Sequence, residues 1–365
     1  MLKPLSGFVV ALVVALTAAC QGGEPEHPAA SGDGGSSSSG ASSGAGTGAV
    51  SASAGSNTVP VGPICSTPVV AGVEQLATFA TKFFQGAALD GTDLYFASAH
   101  YDGNDISIIE RADLAAPRGT PISGEPMAWL NQLWSGRGYS HSVFLHGTDL
   151  FWVQDPGDAS GRMPGPVAKW SLLRVAKAGG AAETVLTGVR QAAAITTGIV
   201  VERDDFKIQL LPWDASEPTD ICTAPVQVDF VANDERVAWV RFGGVESCPI
   251  AGGPVETILP REDLPNHVEL DVTHIYWLAG PVFRTPFEAP AAEPVVDGPT
   301  VLFALDDRDI YWSDATRVMR SPKSGGAATE LVGGQTVAFY LAVDPTYVYW
   351  AIDEGSHCCV MRKLK

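Results

Sequence analysis

Four aspartates recur at the same place in a repeated sequence and are the first candidates for chemistry. Asp90, Asp271, Asp306 and Asp344 each follow a short apolar run and precede a polar turn. A ring of carboxylates could hold a cation, but an Asp in front of a tight turn also accepts hydrogen bonds from the backbone of that turn. The repeated position before a turn favours capping, so no metal site is predicted from these residues.

Motifs for catalysis are nearly absent from the sequence. Residues 40–44 match the Gly-x-Ser-x-Gly pattern, but no strand pattern precedes them and no helix pattern follows. The seven His are scattered, and no His-Glu-x-x-His, Cys-x-x-Cys or phosphate-binding Gly loop occurs. Two acidic loops, 102–105 and 155–158, have oxygen ligands suited to Ca²⁺ but are also ordinary turns of an acidic chain. The sequence predicts no catalytic residue and no cofactor, and it favours a protein that is not an enzyme.

Aromatic residues outside the repeat are the candidates for ligand contact. Residues 124–142 are predicted to be a loop insertion that carries more aromatic side chains than a minimal repeat needs. Aromatic residues on loops above a rigid scaffold often bind sugars, peptides or protein surfaces, although they can equally pack an insertion onto the body of the protein. The predicted ligand-contacting residues are Tyr101, Asp102, Trp129, Trp134, Tyr139 and His141.

The charge of the chain restricts its partners. The sequence has 365 residues, with 23 Lys and Arg against 41 Asp and Glu, and its formal net charge is -18. Such a surface lacks the basic patches that neutralise phosphates, so nucleic acid and anionic lipid headgroups are excluded as surface partners. Cationic and neutral ligands remain possible.

The elements that would position these residues form a repeat. Each copy has a short apolar strand, a polar turn and a second strand that ends in a bulky residue. A Gly-Gly turn between two further apolar runs follows several copies and predicts a second hairpin, because Gly supplies the positive φ that such turns need. Four-stranded repeats of about 40 residues are typical of β-propellers. The copies end at Phe96, Trp152, Val201, Trp239, Trp277, Trp312 and Trp350.

The seven copies predict an all-β fold, a seven-bladed β-propeller. The last copy reaches only its third strand near Met361, whereas residues 73–77 resemble a fourth strand and precede the first copy. An N-terminal strand is therefore expected to complete the seventh blade, which removes an open sheet edge. The bulky residues at the ends of the copies are expected to fill the core between blades.

Two resemblances to known families add to this interpretation. Tyr311, Trp312, Ser313 and Asp314, with the Gly-Gly turn and the Asp344 copy that follow, resemble the YWTD-type propeller repeat. That resemblance covers the C-terminal third of the chain and implies a cell-surface binding or interaction module; propellers of this type usually have six blades. Residues 16–20, which end in Cys20, resemble the lipobox of bacterial lipoproteins, which implies that Cys20 is lipidated.

The N-terminal composition predicts a secreted protein on a tether. Residues 1–19 read as a signal peptide, because the apolar run is too short to span a bilayer. Residues 20–61 read as a Gly/Ser/Ala-rich linker, and residues 62–365 as the propeller domain. Cleavage after Ala19 without lipidation is the alternative. The lipoprotein resemblance and Gln21 after the Cys imply the outer membrane, with the body periplasmic or surface-exposed.

Cysteine usage fits an oxidising compartment. We predict a disulfide between Cys222 and Cys248, which fall in adjacent blades. The pairing of Cys65, Cys358 and Cys359 stays open, since neighbouring Cys358 and Cys359 could pair or one of them could reach Cys65.

The sequence thus favours a cell-envelope lipoprotein that acts as a binding scaffold for an envelope protein or glycan, attached to the membrane only through its lipid. The alternative is a Ca²⁺-dependent enzyme resembling lactonases or lyases, with carboxylates or Asn at the mouth of the central channel. Three or more Asp, Glu or Asn side chains converging there would favour that alternative.

Overall fold

The computed structural model describes residues 70–79, 83–91, 93–100, 106–113, 130–137, 139–156, 170–214, 217–223, 230–241, 244–260, 265, 267–288, 291–335, 337–353 and 358–365. All regular structure in these ranges is β-strand. None of the described segments forms a helix long and apolar enough to cross a bilayer. The predicted signal peptide, linker and lipidated Cys20 lie outside the described residues.

The strands form seven antiparallel sheets of four strands each. The first strand in the chain, β1 (Val73–Phe79), does not join the sheet formed by the next strands. It belongs to the last sheet, sheet 7, which is described below. Sheet 1 contains β2 (Phe83–Leu89), β3 (Asp93–His100), β4 (Ile106–Asp113) and β5 (Leu130–Arg137). Sheet 2 contains β6 (Tyr139–His146), β7 (Asp149–Asp155), β8 (Ser171–Ala176) and β9 (Glu183–Thr187). Sheet 3 contains β10 (Val189–Ile195), β11 (Gly198–Arg203), β12 (Lys207–Pro212) and β13 (Thr219–Thr223).

The second half of the chain repeats this order. Sheet 4 contains β14 (Phe230–Ala232), β15 (Arg236–Arg241), β16 (Gly244–Pro249) and β17 (Glu256–Leu259). Sheet 5 contains β18 (His267–Leu270), β19 (His274–Leu278), β20 (Val282–Pro286) and β21 (Glu293–Val296). Sheet 6 contains β22 (Leu302–Leu305), β23 (Asp309–Ser313), β24 (Arg317–Pro322) and β25 (Thr329–Gly333). Sheet 7 contains β26 (Val337–Val343), β27 (Tyr347–Asp353), β28 (Cys358–Leu364) and, at its edge, β1.

The pairing of β1 with β28 joins the N-terminal strand to the last sheet, as the sequence predicted. The two strands are antiparallel, with Val73 opposite Lys363 and Gln75 opposite Met361. The Nε of Arg362 donates a 2.8 Å hydrogen bond to the Oε2 of Glu74 across this pair. The strand therefore occupies an edge of sheet 7 that would otherwise be open to another chain.

Burial decreases from the inner to the outer strands of a sheet. Every residue of β7 after Asp149 is buried, which places this second strand between two neighbouring sheets. The third strand, β8, alternates buried and accessible positions, and β9 has no buried residue. This gradient is typical of blades that are packed near the axis and solvated at the rim.

The hydrophobic core is divided into layers between consecutive sheets. In the described ranges, six clusters of buried side chains join sheet 1 to sheet 2 and so on to sheet 7. The five Trp anchors are at most 5% exposed, which confirms their prediction as core. The architecture is a β-propeller. Closure into a seven-bladed ring additionally requires packing between sheets 7 and 1, and it stays a prediction.

The Gly-Gly turns connect third and fourth strands, as predicted. Gly179 and Gly180 have φ of 89° and 136°, and Gly325 and Gly326 have φ of 84° and 131°. These are conformations that residues with a Cβ rarely adopt, so the Gly pairs determine the turn.

The predicted disulfide between Cys222 and Cys248 is present. It links β13 of sheet 3 to β16 of sheet 4, with the two Cα atoms 6.8 Å apart. Cys359 is also disulfide-bonded. The side chains of its predicted partners, Cys65 and Cys358, lie outside the described part of the chain, so both alternatives stay predictions.

Candidate ligand-binding site

The segment predicted to be a loop insertion is largely strand. Trp134 lies within β5, opposite Ile109, and Tyr139 is the first residue of β6, opposite Asp155. The prediction of a loop over residues 124–142 is therefore wrong from residue 130 to residue 137 and from residue 139 onward. The polar residues of β5 caused the error, because the outermost strand of a blade needs few apolar side chains.

The remaining predicted contacts are not brought to one face by the described strands. Tyr101, Asp102 and Trp129 lie outside the described residues. Tyr101 follows the end of β3 at His100, which pairs with Ile106, whereas Leu130, next to Trp129, pairs with Ala112 at the opposite end of β4. The chain therefore enters these two connections at opposite ends of sheet 1. A ligand-binding role for these residues stays a prediction.

His141 makes internal contacts near the start of β6. Its Nδ1 lies 3.2 Å from the hydroxyl of Ser142, and its ring meets the edge of Trp170 with centroids 5.6 Å apart. Burial lowers the pKa of His141 to about 4, so the imidazole is neutral at pH 7. Ser142 is 1% exposed and accepts a hydrogen bond from the backbone N–H of Ala192. The bond from Ala192 to Ser142 joins sheets 2 and 3, and the burial of Ser142 leaves its hydroxyl inaccessible to a substrate.

A recess lies at the other end of β6. It has a volume of about 450 Å³ and is formed by the ends of the innermost strands of sheets 2 to 6. Within the described lining, Lys323 is the only Lys or Arg, against several carboxylate and amide side chains. The acidic and amide residues are Asn233, Asp234, Glu269, Asp271, Asp306 and Asp307. The recess is therefore strongly acidic.

The repeated aspartates cap their turns, as predicted. The Oδ1 of Asp271 accepts hydrogen bonds of 2.9 Å from the backbone N–H groups of Thr273 and His274. Its Oδ2 accepts the hydroxyl of Tyr276 at 2.9 Å and the ammonium of Lys323 at 3.0 Å. Asp90, Asp306 and Asp344 cap their turns in the same manner.

Lys323 belongs to the next sheet, so its contact with Asp271 is an inter-sheet bridge, a term we use for an Asp–Lys ion pair between consecutive sheets. Asp306 and Lys365 form a second bridge, and Asp90 and Lys177 a third. Burial by itself would raise the pKa of Asp271, but the turn N–H groups and Lys323 lower it to about 2. Burial, reinforced by Asp271, raises the pKa of Tyr276 well above its ordinary value. Asp271 is thus ionised and Tyr276 protonated at neutral pH.

An aromatic stack forms another part of the lining. The rings of His146 and Trp213 are parallel within 5°, with centroids 3.5 Å apart. The indole N–H of Trp213 donates to the carbonyl oxygens of Ile195 and Thr196, both at 3.1 Å. Burial lowers the pKa of His146, partly offset by Asp149, so the stacked imidazole is neutral at pH 7. Neither residue was singled out from the sequence.

Most of the acidic side chains of the recess, but not the exposed Asp307, have partners among the described residues: Asp234, Glu269, Asp271 and Asp306. Asp234 accepts the N–H and the hydroxyl of Thr196 at 2.7 and 2.5 Å, and the amide of Asn233 donates to the carbonyl of Asp271. No group of three or more His, Cys, Asp or Glu within the described ranges could hold a metal ion. The Ca²⁺-dependent enzyme alternative requires three or more Asp, Glu or Asn side chains at the channel mouth, and the recess has six. Most of their contacts among the described residues, however, are with turns and with neighbouring sheets.

Comparison with known proteins supports the fold. No family model matches the chain, and no curated protein matches it in sequence. Among solved structures, it is similar to an oligogalacturonate lyase in complex with manganese, with 15% identity over 76% of this chain and 87% of that chain and a TM-score of 0.54. It is also similar to the β-propeller domain of the trilobed protease from Pyrococcus furiosus, with 8% identity, 75% and 93% coverage and a TM-score of 0.53.

A third similar structure is a puromycin-hydrolysing peptidase of Mycobacterium tuberculosis, with 12% identity and a TM-score of 0.54. The match covers 74% of this chain and 48% of that chain, so it spans about half of the peptidase. At such identities, the likeness shows the β-propeller fold and nothing about activity.

Proposed function

We propose that this protein is a binding module that takes positively charged groups of a protein or glycan partner into the acidic recess. The observation that carries the proposal is the lining itself, in which side chains from five sheets place acidic groups and one aromatic stack around about 450 Å³. Strand ends of a propeller are rigid, so these groups are held in place before a ligand arrives. The net charge of -18 would attract a cationic partner over a longer distance.

Asp307 offers the sharpest test because it is an exposed residue of the recess. Changing Asp307→Lys alters the local charge by two units, and at roughly 8 Å in water this costs a bound cation about 1 kcal/mol, or about fivefold in affinity. The matched control is Asp297→Lys, an exposed Asp in the connection between β21 and β22, at the opposite end of the sheets.

The probes are a tetralysine peptide for the protein arm and tetraglucosamine for the glycan arm, titrated calorimetrically into the full chain. We expect Asp307→Lys to weaken the bound probe about fivefold and Asp297→Lys to leave it nearly unchanged, with weaker binding at higher salt. Equal effects of both variants, or no binding of either probe to the unmodified chain, would refute the proposal.

Three of the site residues predicted from the sequence, Trp134, Tyr139 and His141, are described, and they lie toward the end of the sheets opposite the recess. We keep Tyr101, Asp102, Trp134, Tyr139 and His141 as a second proposed contact surface, supported by their residue types alone. Trp129, whose connection leaves sheet 1 at the opposite end, is kept as a separate proposed contact. If a His141→Gln variant binds the probes with unchanged affinity, the second contact surface is not used and the probes bind at the recess.

We also propose that the body is a closed ring of seven YWTD-like blades, tethered to the outer membrane of a bacterium through lipidated Cys20. The seven sheets and the β1–β28 pairing support the ring. The apolar N-terminal run, the lipobox-like residues and the Gly/Ser/Ala-rich linker support the tether. The Ca²⁺-dependent enzyme stays an untested alternative.

A further inference from the structure

One edge of the recess alternates acidic and apolar side chains. In sheets 4, 5 and 6, the second residue after the first strand lies in the turn between the first two strands. These residues are Asp234, Val272 and Asp307, which we call the rim triad. All three are exposed, and all three line the recess. The order of consecutive sheets therefore places an apolar residue between two carboxylates.

Val272 is the apolar member of the rim triad and is 60% exposed. Its turn is closed by Asp271, which accepts the backbone N–H groups of Thr273 and His274, so the turn does not depend on the Val272 side chain. Turns of this kind favour Gly, Pro, Asn, Asp or Ser. A single exposed Val is ordinary on a protein surface, but Val272 borders the apolar part of the recess lining.

The strand ends below the rim triad line the recess with aliphatic side chains. These belong to the last residues of β6, β10, β14, β18 and β22, and we call them the floor. Ala194, Ala232 and Leu270 of the floor are half-buried, so they keep accessible apolar surface. Two polar side chains interrupt the floor: His146, which belongs to the aromatic stack, and Glu269, which is 7% exposed. The recess thus combines an apolar floor with an acidic rim.

We propose that the partner is a basic protein segment that carries an apolar side chain between Lys or Arg residues. The apolar side chain enters the recess and packs against Val272 and the floor, while the flanking cations pair with the carboxylates of Asp234 and Asp307. Both carboxylates belong to exposed residues, so a partner can reach them. An apolar centre with a polar rim is common in protein interfaces, and the charges of the rim fix the register of the partner.

The inference rests on the proposed binding function and chooses between its two partner classes. The hydroxyl groups of a glycan would lose hydrogen bonds to water when they entered the floor, whereas an aliphatic side chain gains from leaving water. A sugar could stack on an aromatic ring, but one face of Trp213 is already covered by His146, with the ring centroids 3.5 Å apart. The recess therefore favours the protein partner.

The experiment compares two pentapeptides, each with four lysines around a central residue that is leucine in one and serine in the other. Both have acetylated and amidated ends, so their charges are equal. In calorimetric titrations of the full chain, we expect the leucine peptide to bind about tenfold more tightly, because its side chain leaves water at the floor. Val272→Ser should weaken the leucine peptide about threefold and leave the serine peptide nearly unchanged.

Two control variants make the expectation stricter. Val301→Ser changes an exposed Val in the connection between β21 and β22, at the opposite end of the sheets, and should alter neither affinity. Val272→Leu keeps an apolar rim residue and should keep the preference for leucine. Equal affinities of the two peptides for the unmodified chain, or an equal effect of Val272→Ser on both, would overturn the inference. Tighter binding of tetraglucosamine than of the leucine peptide would also overturn it, in favour of a glycan.

The inference and the proposed function fail in different ways. If the two peptides bind equally and Asp307→Lys weakens both, the recess binds cations and the inference alone is wrong. If neither peptide binds to the unmodified chain, the proposed function is wrong and the inference fails with it.

Discussion

Replacing Lys323 with Met would remove the ammonium from one inter-sheet bridge while keeping most of the apolar stem. The Lys323 side chain is 12% exposed and Asp271 25% exposed, so the pair is only partly screened by water. A hydrogen bond to a charged group contributes about 1.5–3 kcal/mol. Asp271 keeps two backbone N–H donors and the hydroxyl of Tyr276, so we expect a loss of about 1–2 kcal/mol.

The assay is thermal unfolding followed by circular dichroism, where this loss corresponds to a decrease in melting temperature of roughly 2–8 °C. The matched control is Lys207→Met, whose ion pair with Asp220 is 2.8 Å long but far more exposed, at 42% and 56%. An exposed pair of this kind contributes little, so the control should melt close to the unmodified chain.

The pH dependence gives the same prediction a second check. The pKa of Asp271 is about 2 in the folded protein, below the ordinary value of 3.8, so the pair stabilises the fold above pH 4 and this stabilisation is lost as the pH falls toward 2. The difference between Lys323→Met and the unmodified chain should therefore shrink between pH 4 and pH 2. Equal melting temperatures at pH 7, or a difference that stays constant to pH 2, would refute the reasoning.

Two further predictions concern His141 and Cys20. The pKa of His141 is lowered to about 4, so the folded state resists protonation of this imidazole, and the free energy of unfolding should decrease by roughly 2–3 kcal/mol at most as the pH falls from about 6.5 to 4. In urea unfolding, His141→Gln should flatten this part of the plot of unfolding free energy against pH, and an unchanged slope would contradict the prediction. If Cys20 carries a lipid, cells grown with radiolabelled palmitate should label the unmodified chain and not Cys20→Ser, whereas equal labelling or none in both would contradict the tether.

The architecture could be predicted because its signals are local and repeated. An Asp before the first turn of four sheets, as in Asp306, and a bulky residue such as Trp312 at the end of the next strand define the inner hairpin of a blade. The strand near Glu74 and the disulfide between Cys222 and Cys248 followed from counting strands. Each of these inferences needs only residues within one blade or two neighbouring blades.

The recess could not be predicted in the same way because its lining comes from five sheets. His146 and Trp213, for example, are 67 positions apart and become neighbours only when consecutive sheets pack. The error over β5 has a different cause, since the sequence around Trp134 lacks the apolar alternation of a buried strand. The pairing of a Lys directly after the third strand of one sheet with the capping Asp of the preceding sheet, as in Lys323 and Asp271, is a sequence signal that could have pointed to this end of the propeller.

The most direct test of the proposed binding function is a crystal structure of the full chain with the tetralysine peptide bound. We predict ammonium groups in the recess, near Asp307 and the ring of Trp213. A peptide bound at the opposite end of the sheets, beside His141 and Trp170, with the recess empty, would contradict the account.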